Sequence, residues 1–176
     1  MNSKQLDKIF NLLFPIFRSI TGNGYLKSLQ IFKKYMNLKL IKYRSGKKVF
    51  DWVVPDEWVI KDAHVIYKGK KIIDIKKNNL HVVNYSSRVD KTISLDKLND
   101  HLFSSKKSVN HIPYVTSYYK NFWGFCIEEK KRKKLKKGLY KVFVNSKFKK
   151  GNVINGLSKL KGKSNKIVLL TSYLCH

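Results

Sequence analysis

The chain has 176 residues, 43% of them hydrophobic and 13% aromatic, which is enough apolar material for a packed core and excludes a wholly disordered chain. Its 38 Lys and Arg against 11 Asp and Glu give a formal charge of +27, a balance that raises nucleic acid or an acidic surface as partners. Only Arg18, Arg44, Arg88 and Arg132 carry the guanidinium fork that base and phosphate recognition favours, and Lys is spread from Lys4 to Lys166 rather than gathered in one stripe.

The charge has a compositional source as well. The chain is rich in Asn, Ile, Tyr and Phe and holds a single Ala, Ala63. An AT-rich genome imposes that joint bias, with Lys filling solvated positions, so no specific nucleic-acid partner is expected. Cys126 and Cys175 match neither zinc-knuckle nor redox spacing and suit a reducing compartment. In "MNSKQLDKIFNLLFPIFRSITG", Asp7 sits where a leader would be basic, Pro15 interrupts the apolar run, and no small-residue cleavage site follows. The run is also too short to span a bilayer. The expectation is a cytoplasmic protein with no membrane partner.

Residues 3–17 place Leu6, Ile9, Phe10, Leu13, Phe14 and Phe17 on one side at helical spacing. "RSITGNG" interrupts that pattern, and Gly22 and Gly24 suit positive φ values in a turn. A second helix, roughly Tyr25 to Met36, turns Leu26, Leu29 and Phe32 inward. It lacks the Arg, Asn or Gln at its start that DNA readout by a helix-turn-helix would use.

From about residue 38 the apolar period changes to two. "LKLIKY" alternates, and "VFDWVVPDEWVI" is aromatic-rich and punctuated by Pro55. "AHVIYKGKKIIDI" reads as a hairpin with Gly69 in its loop, and "NLHVVNY" as a further strand. Ser94 is placed to cap a short helix carrying Leu95, Leu98 and Leu102. "HIPYVTSYY" and "FWGFCI" are extended. "EEKKRKKLKKG" is a solvated helix with Glu128 and Glu129 at its start and Gly138 as its stop. "LYKVFV" and "KGNVINGLSKL" are strands, and "KIVLLTSYL" is the most continuously apolar of all, like a strand buried inside a parallel sheet.

That order predicts an α/β fold class in which N-terminal helices begin an α/β core and an inserted β-rich small domain interrupts it. The expected parts are residues 1–47 (helical part of the core), 48–150 (the inserted, lid-like domain) and 151–176 (the first strands of the core).

Five histidines are present, with no H-E-x-x-H, Cys-pair or Walker spacing among them. His64 and His81 fall in expected strands and suit structural, hydrogen-bonded roles. His101 and His111 have no acidic neighbour at ligand spacing. His176 differs in context, because open α/β sheets gather active-site groups at the carboxyl ends of their strands. An accidental His at a frayed end is an equal alternative on these grounds. Asp56 and Glu57 are adjacent, so they cannot both point inward on a strand. No Ser, His and Asp set has nucleophile-elbow spacing, and the Gly-x-Gly of "TGNGY" follows no strand.

"RSITGNG", "KVFDWVVPDEW", "NNLHVVNYS", "IPYVTSYYKNFWGFC" and "LLTSYLCH" occur in this order in a bacterial family of zinc aminopeptidase-like proteins, described as polysaccharide-biosynthesis proteins with an aminopeptidase-like domain. The chain resembles that family over nearly its whole length. The resemblance implies an α/β core, a β-rich module inserted near the active site and, in fuller members, a C-terminal winged-helix region. It also implies that His176 is the first zinc ligand, with the remaining ligands and a general-base Glu further along the family's chain. By that reading this sequence matches only the N-terminal part.

Catalytic zinc takes about three protein ligands and an open position for water. The resemblance therefore implies a truncated fragment of a zinc-dependent aminopeptidase-like protein, inactive alone and holding no zinc stably. Its full-length family would act on a peptide-like or small-molecule substrate; a third, separate reading has a downstream chain complete the α/β sheet and the metal site. The alternative reading is a basic, non-catalytic module for nucleic acid or an acidic surface. Trp52, Tyr118, Tyr119 and Trp123 either line a substrate entrance in the full-length relative or build the module's own core, and core packing is the favoured reading.

Overall fold

The computed structural model describes residues 2–118 and 120–174. Along the chain the elements are α1 (Ser3–Leu13), α2 (Asn23–Lys33), β1 (Lys39–Arg44), β2 (Lys48–Val49), β3 (Trp52–Val53), β4 (Glu57–Tyr67) and β5 (Lys70–Asp74). A short 3-10 turn at Asn79–His81 precedes β6 (Val89–Ser94), α3 (Leu95–Asn99), β7 (Leu102–Phe103), β8 (Phe125–Cys126), α4 (Glu129–Arg132), β9 (Leu139–Lys149) and β10 (Asn152–Leu157). Helix and sheet are mixed. The chain divides into two compact units: a helical unit of residues 1–58 and 148–176, and a sheet unit of residues 59–147.

In the helical unit, α1 opens on a capping box. The Asn2 side chain accepts the Gln5 N–H at 3.0 Å, and the Gln5 side chain accepts the Asn2 N–H at 3.0 Å. The helix stops at Leu13 and does not reach Phe17, because Pro15 has no N–H to donate and its ring opposes continued helix. Of the predicted inward face only Ile9 is buried, whereas Leu6, Phe10 and Phe14 are exposed.

The two glycines before α2 act differently from each other. Gly22 has φ 91° and is the N-cap residue, as a turn glycine should be. Gly24 does not have a positive φ; it lies inside the first turn of α2 with its Cα against the Phe17 carbonyl oxygen. There the requirement is space rather than dihedral freedom.

Leu29 of α2 packs with Leu38 and Ile154 into a small core, with Tyr25, Leu26, Phe32, Leu40 and Leu174 against it. β1 and β10 pair antiparallel, Lys39 opposite Leu157 and Arg44 opposite Asn152. β2 and β3 form a tight hairpin whose tip residue, Phe50, has φ 54°.

The sheet unit is built on a four-stranded sheet in the order β5-β4-β9-β6. β9 follows the period of two, burying Tyr140, Val142, Val144 and Ser146 in alternation. The β4–β5 turn places Lys68 and Gly69 at φ 46° and 75°, the paired left-handed positions of a type I′ hairpin.

Three sequence readings change here. "NLHVVNY" is not a strand: the Asn78 side chain accepts the Leu80 N–H at 2.9 Å and turns the backbone into the 3-10 segment, leaving only isolated bridges at Val82 and Asn84. "VDKTIS" is a strand, β6, held by antiparallel pairing with β9 although its own apolar pattern is weak. α4 spans only Glu129–Arg132, much shorter than the charged run suggested.

The third predicted core strand also differs. Residues 158–174 have no regular structure, and Ile167, Val168, Leu169 and Leu170 are 77–89% exposed. A strand apolar on both faces needs sheet neighbours and a covering layer on each face, and none of the described residues supplies them.

Candidate functional site

Cys126 ends β8, Ile127 donates to the Phe103 carbonyl at 2.9 Å, and Glu128 then stands at the N-terminal boundary of α4 without a side-chain cap bond, so a strand end and a helix start are joined at two carboxylates. Glu128 pairs with Lys131 at 2.7 Å. Glu129 accepts the Ser104 hydroxyl at 2.5 Å and lies 3.8 Å from Lys133. Arg132 donates to Ser104 at 3.2 Å and doubly to the Asn99 side-chain oxygen at 3.3 and 3.2 Å. The Ser104 hydrogen bond is the main reason the Glu129 carboxyl is held below its usual range, against a smaller opposing effect of burial. Burial pushes Glu128 up, but Lys131 and nearby backbone outweigh it and the net direction is down. Both carboxylates are thus ionised and committed to cations. A shallow cleft of about 250 Å³ beside them is lined by Asn110, Glu128, Lys130, Lys131 and Lys134.

His81 is buried, and its Nδ1 meets the Cys126 carbonyl oxygen at 2.8 Å. A carbonyl only accepts, so Nδ1 carries the proton. Burial lowers the His81 pKa below its ordinary value, more than the Cys126 carbonyl and Glu128 raise it. Burial also pushes the Cys126 thiol up to about 12, so it is neither a nucleophile nor a metal ligand near neutral pH. His101 stacks on Trp123 at 3.6 Å and on Phe122 at 5.0 Å, with Nδ1 2.7 Å from the Trp123 carbonyl. His64 lies 3.2 Å from Asp62 and stacks on Phe143. His111 is exposed on a turn.

These four histidines are therefore occupied separately or solvated, and among the described residues no group of three or more His, Cys, Asp or Glu could hold a metal ion. That donor set does not fit a catalytic zinc centre. The predicted ligand His176 lies outside the described residues, as do Cys175 and Tyr119. Of the other aromatics singled out in the sequence, Trp123 is taken up by His101, Tyr118 meets Tyr85 edge-on at 5.0 Å, and Trp52 is half-buried in β3.

Residues 57–147 match the family described as Domain of unknown function (DUF2172). The chain belongs to the DUF2172 family. The matched stretch starts two residues before the sheet unit and ends with it. A curated relative from Clostridium acetobutylicum, named "Putative polysaccharide biosynthesis protein with aminopeptidase-like domain", is 46% identical over 173 residues, covering 96% of this chain and 40% of the relative. A solved structure of a "putative peptidase" from the same organism superposes with a TM-score of 0.80 at 46% identity, covering 88% of this chain and 37% of that one. The DUF2172 chain thus spans about two fifths of the relatives it matches, and its resemblance to aminopeptidase-like proteins is shown.

The Ser104–Glu129–Arg132–Asn99 network of the DUF2172 unit was not visible in the sequence. The i,i+3 spacing of Glu129 and Arg132 was the one available signal, since Ser104 and Asn99 come from other elements.

The unit also has a pH-sensitive member in His81. Its folded pKa is lowered, so as pH falls below about 6.5 the unfolded chain takes up a proton that the folded imidazole refuses. Stability is full above that pH and is lost as pH falls towards the folded value. The lowered carboxylates Asp74, Glu128 and Glu129 act in a lower window, below about 4. Urea midpoints of wild type are expected to drop between pH 7 and 5, and His81→Asn, which retains an amide donor, is expected to flatten that interval alone. An unchanged slope in the variant would show that His81 is not the titrating group.

Proposed function

We propose that this chain is the part of a zinc-dependent aminopeptidase-like protein that carries the DUF2172 unit and one metal ligand, His176, and that it hydrolyses no peptide by itself. The observation that supports this most is the 46% identity over 96% of the chain to an aminopeptidase-like protein of which it covers 40%. A hydrolytic zinc site takes about three protein ligands. With the described donors dispersed, the other ligands and the general base belong to the part of such a protein outside the matched two fifths. The substrate class is a peptide or a small molecule with a hydrolysable amide. The compartment is read as the cytoplasm, from the two widely spaced cysteines. The +27 charge is read as solvated Lys, without a specific nucleic-acid or membrane partner.

The test uses aminoacyl p-nitroanilides and zinc. The purified chain is expected to release no nitroaniline. Co-expression with the unmatched part of the Clostridium acetobutylicum relative, as a separate polypeptide, is expected to restore chelator-sensitive release that His176→Ala abolishes. Zinc-dependent release by the chain alone overturns the proposal of inertness, and restored release that survives His176→Ala overturns the ligand assignment.

A further inference from the structure

Seven of the eight residues from Lys130 to Lys137 are basic, the densest charge in the chain. A compositional bias scatters Lys over solvated positions and does not account for that concentration. The run covers α4 and the turn that leads through Gly138 into β9, and its backbone is held at both ends. The Tyr140 hydroxyl donates to the Lys136 carbonyl at 2.6 Å and the Tyr67 hydroxyl to the Lys137 carbonyl at 3.3 Å, with the two rings stacked 4.5 Å apart. At the other end the Lys130 N–H donates to the Val109 carbonyl at 3.0 Å, and Arg132 is tied to Asn99 and Ser104. Like charges brought together repel, so a merely solvated run gains by staying loose. This one is fixed.

Two shallow clefts share Lys134. One is the cleft of about 250 Å³ beside Glu128, whose carboxylate Lys131 already pairs. The other, about 290 Å³, has the half-buried side chains of Tyr67, Ile72 and Leu135 over the buried Tyr140, with Lys68, Lys134 and Lys136 exposed around them. Among the described residues no carboxylate lies within ion-pair distance of Lys68, Lys130, Lys134, Lys136 or Lys137. The result is a recessed apolar floor with an uncompensated cationic rim. All of these residues lie within the DUF2172 stretch.

We propose that this face of the DUF2172 unit is a docking site for an acidic polypeptide segment. An apolar side chain of the segment occupies the cleft of Tyr67, Ile72 and Leu135, and carboxylates on either side of it pair with Lys68, Lys130, Lys134 and Lys136. The site is independent of zinc and of hydrolysis. Its chemistry selects the occupant, because an apolar floor inside a cationic rim fits a chain that is apolar at one residue and anionic around it. Single-stranded nucleic acid stacks its bases on open aromatic faces. Here Tyr140 is buried, and the Tyr67 ring is stacked on Tyr140 with the Lys68 ammonium 5.7 Å from its centroid. Phosphate recognition favours the guanidinium fork, and the one Arg of the run is committed to Asn99 and Ser104. A membrane surface takes up apolar groups that project, whereas these are recessed between lysines. Because the turn is already held in place, little ordering cost falls on binding.

The test is fluorescence anisotropy with the whole chain and two labelled synthetic peptides at physiological ionic strength. One peptide carries a single leucine between two runs of glutamate, and the other has serine in place of the leucine. The leucine peptide is expected to bind at least ~10-fold more tightly, the effect of burying one such side chain. Lys134→Glu combined with Lys136→Glu is expected to weaken it at least ~10-fold, whereas Lys91→Glu combined with Lys120→Glu stays within ~3-fold of wild type. The second pair makes the same change in net charge at exposed positions that line neither cleft. Circular dichroism checks the folding of both variants, and the comparison of the two peptides on wild type needs no variant at all. Equal binding of the two peptides, or equal loss in the two double variants, would show only the general attraction of a basic chain for anions and would overturn the proposal. Tighter binding of oligothymidylate or of anionic phosphatidylglycerol vesicles, lost in the Lys134 and Lys136 variant, would overturn it in favour of those partners.

Discussion

Gly24→Ala is expected to destabilise the helical unit by roughly 2–3 kcal/mol, the cost typical of forcing extra carbon into a packed site. Helix propensity alone predicts the opposite sign, because Ala is favoured over Gly inside a helix by about 1 kcal/mol. The close approach decides the outcome. A methyl carbon at Gly24 would fall within the van der Waals shell of the Phe17 carbonyl oxygen and also crowd the Ile16 side chain at 3.4 Å. The obstructing atom is backbone, so no rotamer change relieves it, and the first turn of α2 must move. Ser28, whose hydroxyl donates to the Gly24 carbonyl at 2.9 Å, and Leu29, in the small core, would move with it. Gly162→Ala is the control, since nothing lies within 4 Å of an added Cβ there. Hydrogen exchange across residues 23–33 should accelerate in Gly24→Ala and not in Gly162→Ala. Equal exchange in the two variants would show that the contact is not a constraint.

Phe125→Ala should have the largest effect in the DUF2172 unit, about 3–5 kcal/mol, the usual cost of emptying a buried aromatic site. A domain of this kind has about 5–15 kcal/mol of stability in total, so the variant approaches or crosses the folding threshold. Phe125 is 0% exposed, its N–H donates to the His101 carbonyl at 2.8 Å, and it bridges to Val82. Its ring sits 6.2 Å from that of Trp123, edge to face. The flanking backbone has little room to shift, because even a Cβ added at Gly124 would meet the His101 carbonyl oxygen, Phe122 and Val83 at 3.0 Å. Phe125→Leu, which keeps most of the volume, is expected to cost less than about 1.5 kcal/mol. The measurement is the urea midpoint with near-ultraviolet circular dichroism. A Phe125→Ala midpoint close to that of Phe125→Leu would refute the packing argument.

The elements legible in the sequence are those whose residues satisfy each other locally. The β4–β5 hairpin could be read from alternation around Lys68-Gly69, and the α3 start from Ser94, whose hydroxyl accepts the Lys97 N–H at 3.4 Å. The hydrogen-bonded structural role of His81 was legible too, although it sits in a 3-10 turn rather than a strand. Readings failed where a competing local bond or a distant partner governs the backbone. Asn78 captures the Leu80 N–H and removes a strand that "LHVV" would otherwise favour. β6, with three exposed polar residues in succession, exists because β9 offers it a hydrogen-bonded edge. Gly24 reads like a turn glycine and is instead a contact glycine, a distinction that lies in the path of Phe17 and not in the residue itself.

The same division holds for function. The order of five motifs was sufficient to recognise an aminopeptidase-like relative, because identity at matched positions needs no knowledge of where the chain goes. Which groups meet was not: Ser104, Glu129, Arg132 and Asn99 converge because the β7–β8 pairing brings their segments together. By itself the sequence determined the mixed composition of helix and sheet, the local turns and caps, and the kinship, all of which depend on residues close together or on their order. Only the tertiary structure decided that most apolar residues of 59–147 are sealed inside while Leu6, Phe10, Phe50 and 167–170 are bare. Burial depends on what packs against a residue, and apolar character alone does not say whether that partner is present.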